Sequence, residues 1–145
     1  QINLVVGDYY KVPSTSQFLQ YTKKATDLIA WLWSKTMVLA MLRDVQKALN
    51  IANPSRTQRV LGVIRAVLTR WTAHYLAFRR LLDLRTTLEI LVKQERDRDT
   101  GDAKIVTGDA ASRRKAKQML ELIEEPLMWH ILAKYLSHSI CIVSY

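Results

Sequence analysis

The sequence predicts a mainly α-helical fold built from long helices, and three observations carry that expectation. Glycine (4) and proline (3) are scarce in a chain of 145 residues, which leaves few places to turn it sharply. Apolar residues recur at helical spacing through most of the chain. A hydrophobic content of 49% and a mean hydropathy of −0.06 suit a chain that buries a core. Together these argue against turn-rich all-β architectures and against wholesale disorder. The length fits one domain or a piece of a larger one.

Residues 1–10 (QINLVVGDYY) place apolar side chains at Ile2, Leu4, Val5, Val6, Tyr9 and Tyr10. A short strand and the end of a helix both accommodate that pattern, and periodicity does not separate them. Pro13, Ser14, Thr15 and Ser16 then break the chain and supply N-cap hydroxyls. One long helix is expected from about 16 to 49, with Phe18, Tyr21, Ala25, Leu28, Leu32, Leu39, Leu42 and Leu49 at helical spacing. Lys23, Lys24, Asp27, Arg43 and Lys47 occupy its other faces. Trp31, Trp33, Met37 and Met41 widen the apolar belt, which calls for core packing on more than one side or for a partner surface. The run 28–42 is too short for a spanning helix and contains Ser34, Lys35 and Thr36.

Residues 50–54 end that helix. Ser55 and Gln58 have capping-box spacing, so a second helix is expected from about Arg56, with Val60, Ile64, Val67 and Leu68 on its apolar side. Gly62 weakens this, and a strand over 63–68 is the alternative. A third helix, capped by Thr69 or Thr72, runs to about Glu95 on the stripe Tyr75, Phe78, Leu81, Leu82, Leu84, Leu88 and Leu91, with Arg79 and Asp83 as an i,i+4 pair. The polar stretch 93–110, with two glycines, reads as an exposed loop. A fourth helix is expected over about 111–125, and Pro126 opens a fifth at its first turn. The tail SHSICIVSY is apolar and β-branched, and its pattern assigns it no particular state.

The net charge is +9, and its distribution is uneven. Residues 45–82 hold Lys47, Arg56, Arg59, Arg65, Arg70, Arg79 and Arg80 and no Asp or Glu. A one-sign block without low complexity points to a polyanion, although an incidentally basic solvated surface gives the same composition. Membrane-surface binding fits less well, because no single helix carries all these cations on one face. Cys141 is the only cysteine, which rules out an internal disulfide framework and fits a reducing, intracellular compartment. The chain starts at Gln1 with no signal-like segment following, and is read as a fragment of a longer protein.

Enzymatic constellations are missing from the sequence. There is no glycine-rich phosphate loop, Walker lysine or CxxC pair. His138 and Cys141 have metal-like spacing but are two ligands where a closed zinc site needs four. His74 and His130 each adjoin an aromatic residue and read as packing. Glu121, Glu124 and Glu125 form a helix face, and Asp97, Asp99 and Asp102 a solvated loop; neither group is shielded or oriented as a catalytic carboxylate set.

The centre of the chain, Thr69-Arg70-Trp71-Thr72 followed by Tyr75, Arg80-Leu81-Leu82, Leu84 and Leu88, resembles the TRWxS…Y…RLLEL pattern of hAT-superfamily transposases. The opening QINLVVGDYY is similar to the segment after that family's CxxH motif. Met128-Trp129 with Leu132 and Leu136 resembles a Phe-Trp-containing helix of the family's helical insertion, with Met where Phe is usual. The tail lacks the Glu-Pro-Leu-type continuation of the family.

The resemblance implies long helices forming part of the helical insertion of an RNase H-like α/β core. Residues 1–15 would be an edge of that core and 16–145 the helical region, together a single incomplete domain. It implies that the three metal-binding carboxylates lie outside this chain, so that the chain is not itself an enzyme and holds no cofactor; Mg would serve only an intact parent. It implies DNA as partner, a nuclear location, and contact with a second copy or with the missing parts of the parent. In this family the Trp is associated with a base flipped out during strand cleavage. Trp71 would be the stacking platform and Arg70 the holder of the adjacent phosphate. Arg56, Arg59, Arg65, Arg79 and Arg80 would extend the DNA contact. The competing expectation is a helical protein–protein interaction module, domesticated or degenerate, without DNA activity.

Overall fold

The computed structural model describes residues 15–66 and 71–143, and among these it contains six α-helices and no strand. The helices are α1 (Thr15–Ser34), α2 (Thr36–Ala52), α3 (Trp71–Asp83), α4 (Arg85–Asp97), α5 (Ala110–Ile123) and α6 (Pro126–Val143). Single 3-10 turns at Pro54–Arg56 and Thr100–Asp102 complete the described elements. The mainly α expectation therefore holds. The strand-or-helix question at residues 1–10 lies outside the described residues.

The one long helix expected over 16–49 is two helices bent by 94° about Lys35. Neither Pro nor Gly marks the break. The apolar pattern does: α1 buries chiefly one stripe, Phe18, Tyr21, Ala25, Leu28, Ile29 and Leu32, with Trp31 beside it, whereas α2 buries Val38, Leu42 and Val45. Leu32 to Val38 is a step of six residues, which puts the two stripes on different faces of a straight helix. Bending at Lys35 turns both stripes to one core. The Ser34 hydroxyl donates to the Trp31 carbonyl at 2.7 Å, a local side-chain bond of the kind that bends or ends helices. Core packing accounts for only part of the wide apolar belt: Trp31 is buried and Met41 packs partly against the core, but Trp33 and Met37 stay exposed.

The helix expected from Arg56 does not form. After the 3-10 turn, residues 57–66 run without regular structure. Gly62 and the β-branched Val60, Val63 and Ile64 give poor helix propensity. Two side chains of α2 satisfy the segment's backbone instead, as described below. The alternative strand over 63–68 does not form within 63–66; Val67 and Leu68 lie outside the described residues. The third expected helix is also two, with Leu84 as a one-residue break between α3 and α4. The expected Arg79–Asp83 pair is not made; the Arg79 guanidinium turns to the Tyr75 hydroxyl at 3.4 Å.

Helix α4 continues to Asp97, past the expected start of the loop. The polypeptide over 98–109 then folds back on it, and Ile105 is buried. Gly108, at φ +90, turns the chain into α5, where the Asp109 carboxylate caps the helix by accepting from Ser112 N at 2.7 Å. Helices α5 and α6 start within a residue or so of the expected positions, and α6 carries most of the tail in helical form.

In the packing, α1 is central: it meets α2, α3, α5 and α6, while α2 lies on α4, α4 on α5, and α3 on α6. Leu28, Leu32, Leu81, Leu88, Trp129 and Leu132 are among the fully buried side chains. Tyr135 of α6 stacks on Phe18 of α1 and meets Phe78 of α3 edge-on, with ring centres 5.7 Å and 5.4 Å apart. Lys115 of α5 pairs with Asp27 of α1, and the Tyr21 hydroxyl donates to Glu125 at the α5–α6 junction. No single described helix is long and apolar enough to cross a membrane; α1 and α2 have the length and composition only when taken as one bent pair.

Candidate nucleic-acid interface

The basic block becomes a surface through two side-chain amides one helical turn apart. Asn50 donates from Nδ2 to the Gln58 carbonyl at 2.7 Å and accepts from Gln58 N at 2.9 Å. Gln46 donates from Nε2 to the Leu61 carbonyl at 2.9 Å and accepts from Leu61 N at 2.7 Å. Each amide therefore pairs with a backbone residue as a neighbouring strand would. Because 58 meets 50 and 61 meets 46, the segment runs antiparallel to α2. The Arg80 guanidinium of α3 donates to the Gly62 carbonyl at 3.0 Å and fixes the segment from its other end.

Underneath, Val63 is buried and Leu61, Ile64 and Ala66 pack against the core, which leaves Arg56, Arg59 and Arg65 exposed. Arg43 and Lys47 are also exposed, and each sits three residues before one of the two amides, Gln46 and Asn50, on α2. The result is a ridge bearing Arg43, Lys47, Arg56, Arg59 and Arg65. Among the described residues none of these five is in an ion pair. Asp44, next to Arg43 in sequence, is directed elsewhere: it lines a groove between α2 and α4 with Met41, Ala48 and Ile90. Asp44 thus does not pair with the ridge, and the like charges of the ridge add up.

Of the seven residues expected to bind DNA, the structure brings Arg56, Arg59, Arg65 and Arg80 to this segment. Arg80 spends one donor on the backbone and acts as a clamp as well as a charge. Arg79 is exposed on α3 and bonded to Tyr75. Arg70 lies outside the described residues. Trp71 is the first residue of α3, and its side chain also lies outside what is described.

Trp129, the second aromatic residue of the family-like pattern, is a core residue. It is 1% exposed, its indole N–H donates to the Ile123 carbonyl at 2.8 Å, and the Arg85 guanidinium lies 5.5 Å from its ring centre. Among the described residues no group of three His, Cys, Asp or Glu side chains is placed to hold a metal ion.

Three features escaped the sequence reading. Lys47 has company in Arg43, which stands one residue before an acid and two before the acid-free block. Gln46 and Asn50 had an i,i+4 spacing that was visible, but nothing local says that a backbone segment would fill it. The run Arg113, Arg114, Lys115, Lys117 on α5 is a second basic cluster, and its signal was plain in the sequence.

No known protein family model, curated protein or solved structure matches the chain.

Proposed function

We propose that this chain is a helical DNA-binding module that holds the phosphate backbone on the ridge of Arg43, Lys47, Arg56, Arg59 and Arg65. One observation carries the reading: unpaired cations stand on a backbone segment that Gln46, Asn50 and Arg80 have already fixed. A pre-ordered cationic surface meets a polyanion with little ordering cost at the moment of binding. Contacts of this type position a duplex or strand without reading its bases. The TRW motif supports a narrower version, in which the module belongs to a hAT-like transposase, Trp71 stacks on a flipped base and Arg70 takes the phosphate beside it. The metal-binding carboxylates of such a transposase would then be supplied from elsewhere.

The test is fluorescence anisotropy of labelled DNA across a salt series. Changing Arg56, Arg59 and Arg65 to Gln is expected to weaken binding to all sequences alike. It should also flatten the slope of log K against log salt by about 0.9 for each duplex phosphate that the variant no longer neutralises. An unchanged slope would sink the ridge. For the narrower version, Trp71→Ala is expected to weaken binding to hairpin or single-stranded DNA more than to duplex, and equal losses would count against base stacking.

A second reading, the protein–protein interaction module, has its own observation. Trp33 is 46% and Met37 59% exposed at the α1–α2 elbow. Nearby α2 residues Met41, Val45 and Leu49 line the groove against Ile90 of α4. Self-association in the ultracentrifuge, with no DNA binding at moderate salt, would favour it.

A further inference from the structure

The geometry points to a second phosphate-binding site, in the groove between α4 and α5, built to take a ligand that carries two or more neighbouring phosphates. The groove has a volume of about 640 Å³ and shares no residue with the ridge on α2. Its walls bring Arg96, Arg98, Arg113, Arg114 and Lys117 together on a partly apolar floor that includes Val106 and Leu120.

The charges divide into those already engaged and those left open. Arg98 is bonded to Glu95 at 2.8 Å, and Arg96 to Glu124 at 2.8 Å. The Glu95 carboxylate is itself filled by backbone donors from Lys104, Ile105 and Val106. Arg113, Arg114 and Lys117 make no ion pair among the described residues. Arg113 and Lys117 are one turn apart, so two like charges face each other with Cβ atoms roughly 5–6 Å apart. Of the acids near them, Glu95 is taken up by Arg98 and backbone donors, Asp99 lines the groove, and Asp109 acts on Arg113 from the start of α5, so the cations still outnumber the acids left to offset them. A concave site with a partly apolar floor focuses the potential of such a set, and an anion that bridges two of the cations relieves the repulsion.

The groove is also held ready. Glu95, with its side chain only 4% exposed, anchors the 98–109 wall through Arg98 and the three backbone N–H groups, and Gly108 turns that wall into α5. The N-terminal amide of Ser112 is occupied by Asp109, so the cations and not the helix end would hold the ligand. A nucleic-acid strand and a free polyphosphate present the same chemistry.

The two sources separate in one experiment on the full chain. Tripolyphosphate is titrated by calorimetry and labelled oligothymidylate by anisotropy, against wild type, Arg113→Gln/Lys117→Gln and the ridge variant Arg59→Gln/Arg65→Gln. The groove variant is expected to lose about tenfold or more in affinity for at least one ligand. Loss for oligothymidylate, with or without tripolyphosphate, assigns a strand; loss for tripolyphosphate alone assigns a free polyphosphate. Arg113→Lys/Lys117→Arg, which keeps the charges, must keep the affinity, and this separates a lost site from a lost fold. A groove variant equal to wild type on both ligands, including the case in which neither binds wild type, overturns the proposal. Failure of the ridge would leave the groove's tripolyphosphate binding untouched.

Discussion

Trp129 and Trp31 are both buried indoles, yet only one has its N–H paired. Trp129 donates to the Ile123 carbonyl at the end of α5, which satisfies a helix-end acceptor and joins α5 to α6. Trp31 has no partner for its Nε1 and lies beside a small apolar void lined by Leu88, Leu91 and Ile105. An unsatisfied buried donor costs about 1–3 kcal/mol, whereas a made bond contributes about 1. Trp129→Phe is therefore expected to destabilise the fold by about 1–2 kcal/mol more than Trp31→Phe, although both remove the same atoms. Urea unfolding of the two variants measures the difference, and equal losses would show that packing alone decides both sites. Glu95 belongs at this scale too. It falls at the expected end of a helix and inside the stretch expected as an exposed loop, yet it is buried because three backbone N–H groups and Arg98 converge on it.

At the scale of elements, the sequence showed helices well and their ends poorly, for physical reasons that differ from place to place. Helices α5 and α6 were legible because their limits are local: the end of the polar, glycine-containing stretch before α5, and Pro126 at the first turn of α6. The breaks at Lys35 and Leu84 have no such residue and arise from where the apolar stripes must point in the assembled core. Residues 57–66 were misread because the capping-box spacing of Ser55 and Gln58 is a weak local signal, outcompeted by amides fifteen and eight residues away. The cations of the proposed ridge were legible one by one, but their arrangement depended on that same tertiary pairing. The amides carry a prediction of their own. Gln46→Ala is expected to cost about 1–2 kcal/mol and Asn50→Ala, whose bonds to Gln58 are exposed, under about 1, since water replaces an exposed bond more readily. Hydrogen exchange should quicken at Gln58 in Asn50→Ala and at Leu61 in Gln46→Ala, with α5 and α6 unchanged. Uniform quickening across the molecule would mean that the segment is not held separately.

For the whole molecule, stability against pH draws on one contact that ties distant helices together and one that caps a helix. The Tyr21 ring, 6% exposed on α1, sends its hydroxyl to Glu125 between α5 and α6, closing the chain's early and late parts on each other. The hydrogen bond to the Glu125 carboxylate, then burial and the nearby negative charge, push the Tyr21 hydroxyl above its ordinary value of 10.0. A group whose folded value is raised gives stability that is fully present below the unfolded value and is lost as pH rises through the folded one. At the acid end the sign reverses. The bonds from the Ser112 backbone and side chain hold Asp109 below its ordinary 3.8, so its contribution is present above that value and is lost as pH falls through the lower folded one. Both contributions are intact near neutrality. Tyr21→Phe is then expected to cost about 1–2 kcal/mol at pH 7, the worth of a hydrogen bond to a charged partner. The gap between wild type and Tyr21→Phe should narrow steadily above about pH 10, where the tyrosine starts to ionise and the phenylalanine has nothing to lose. Taking the difference between the two proteins cancels the titration of the other tyrosines and the lysines, which both share. Denaturant midpoints at pH 7, 9 and 11 supply the measurement, and a gap that stays constant would show that Tyr21 holds its place by its ring alone.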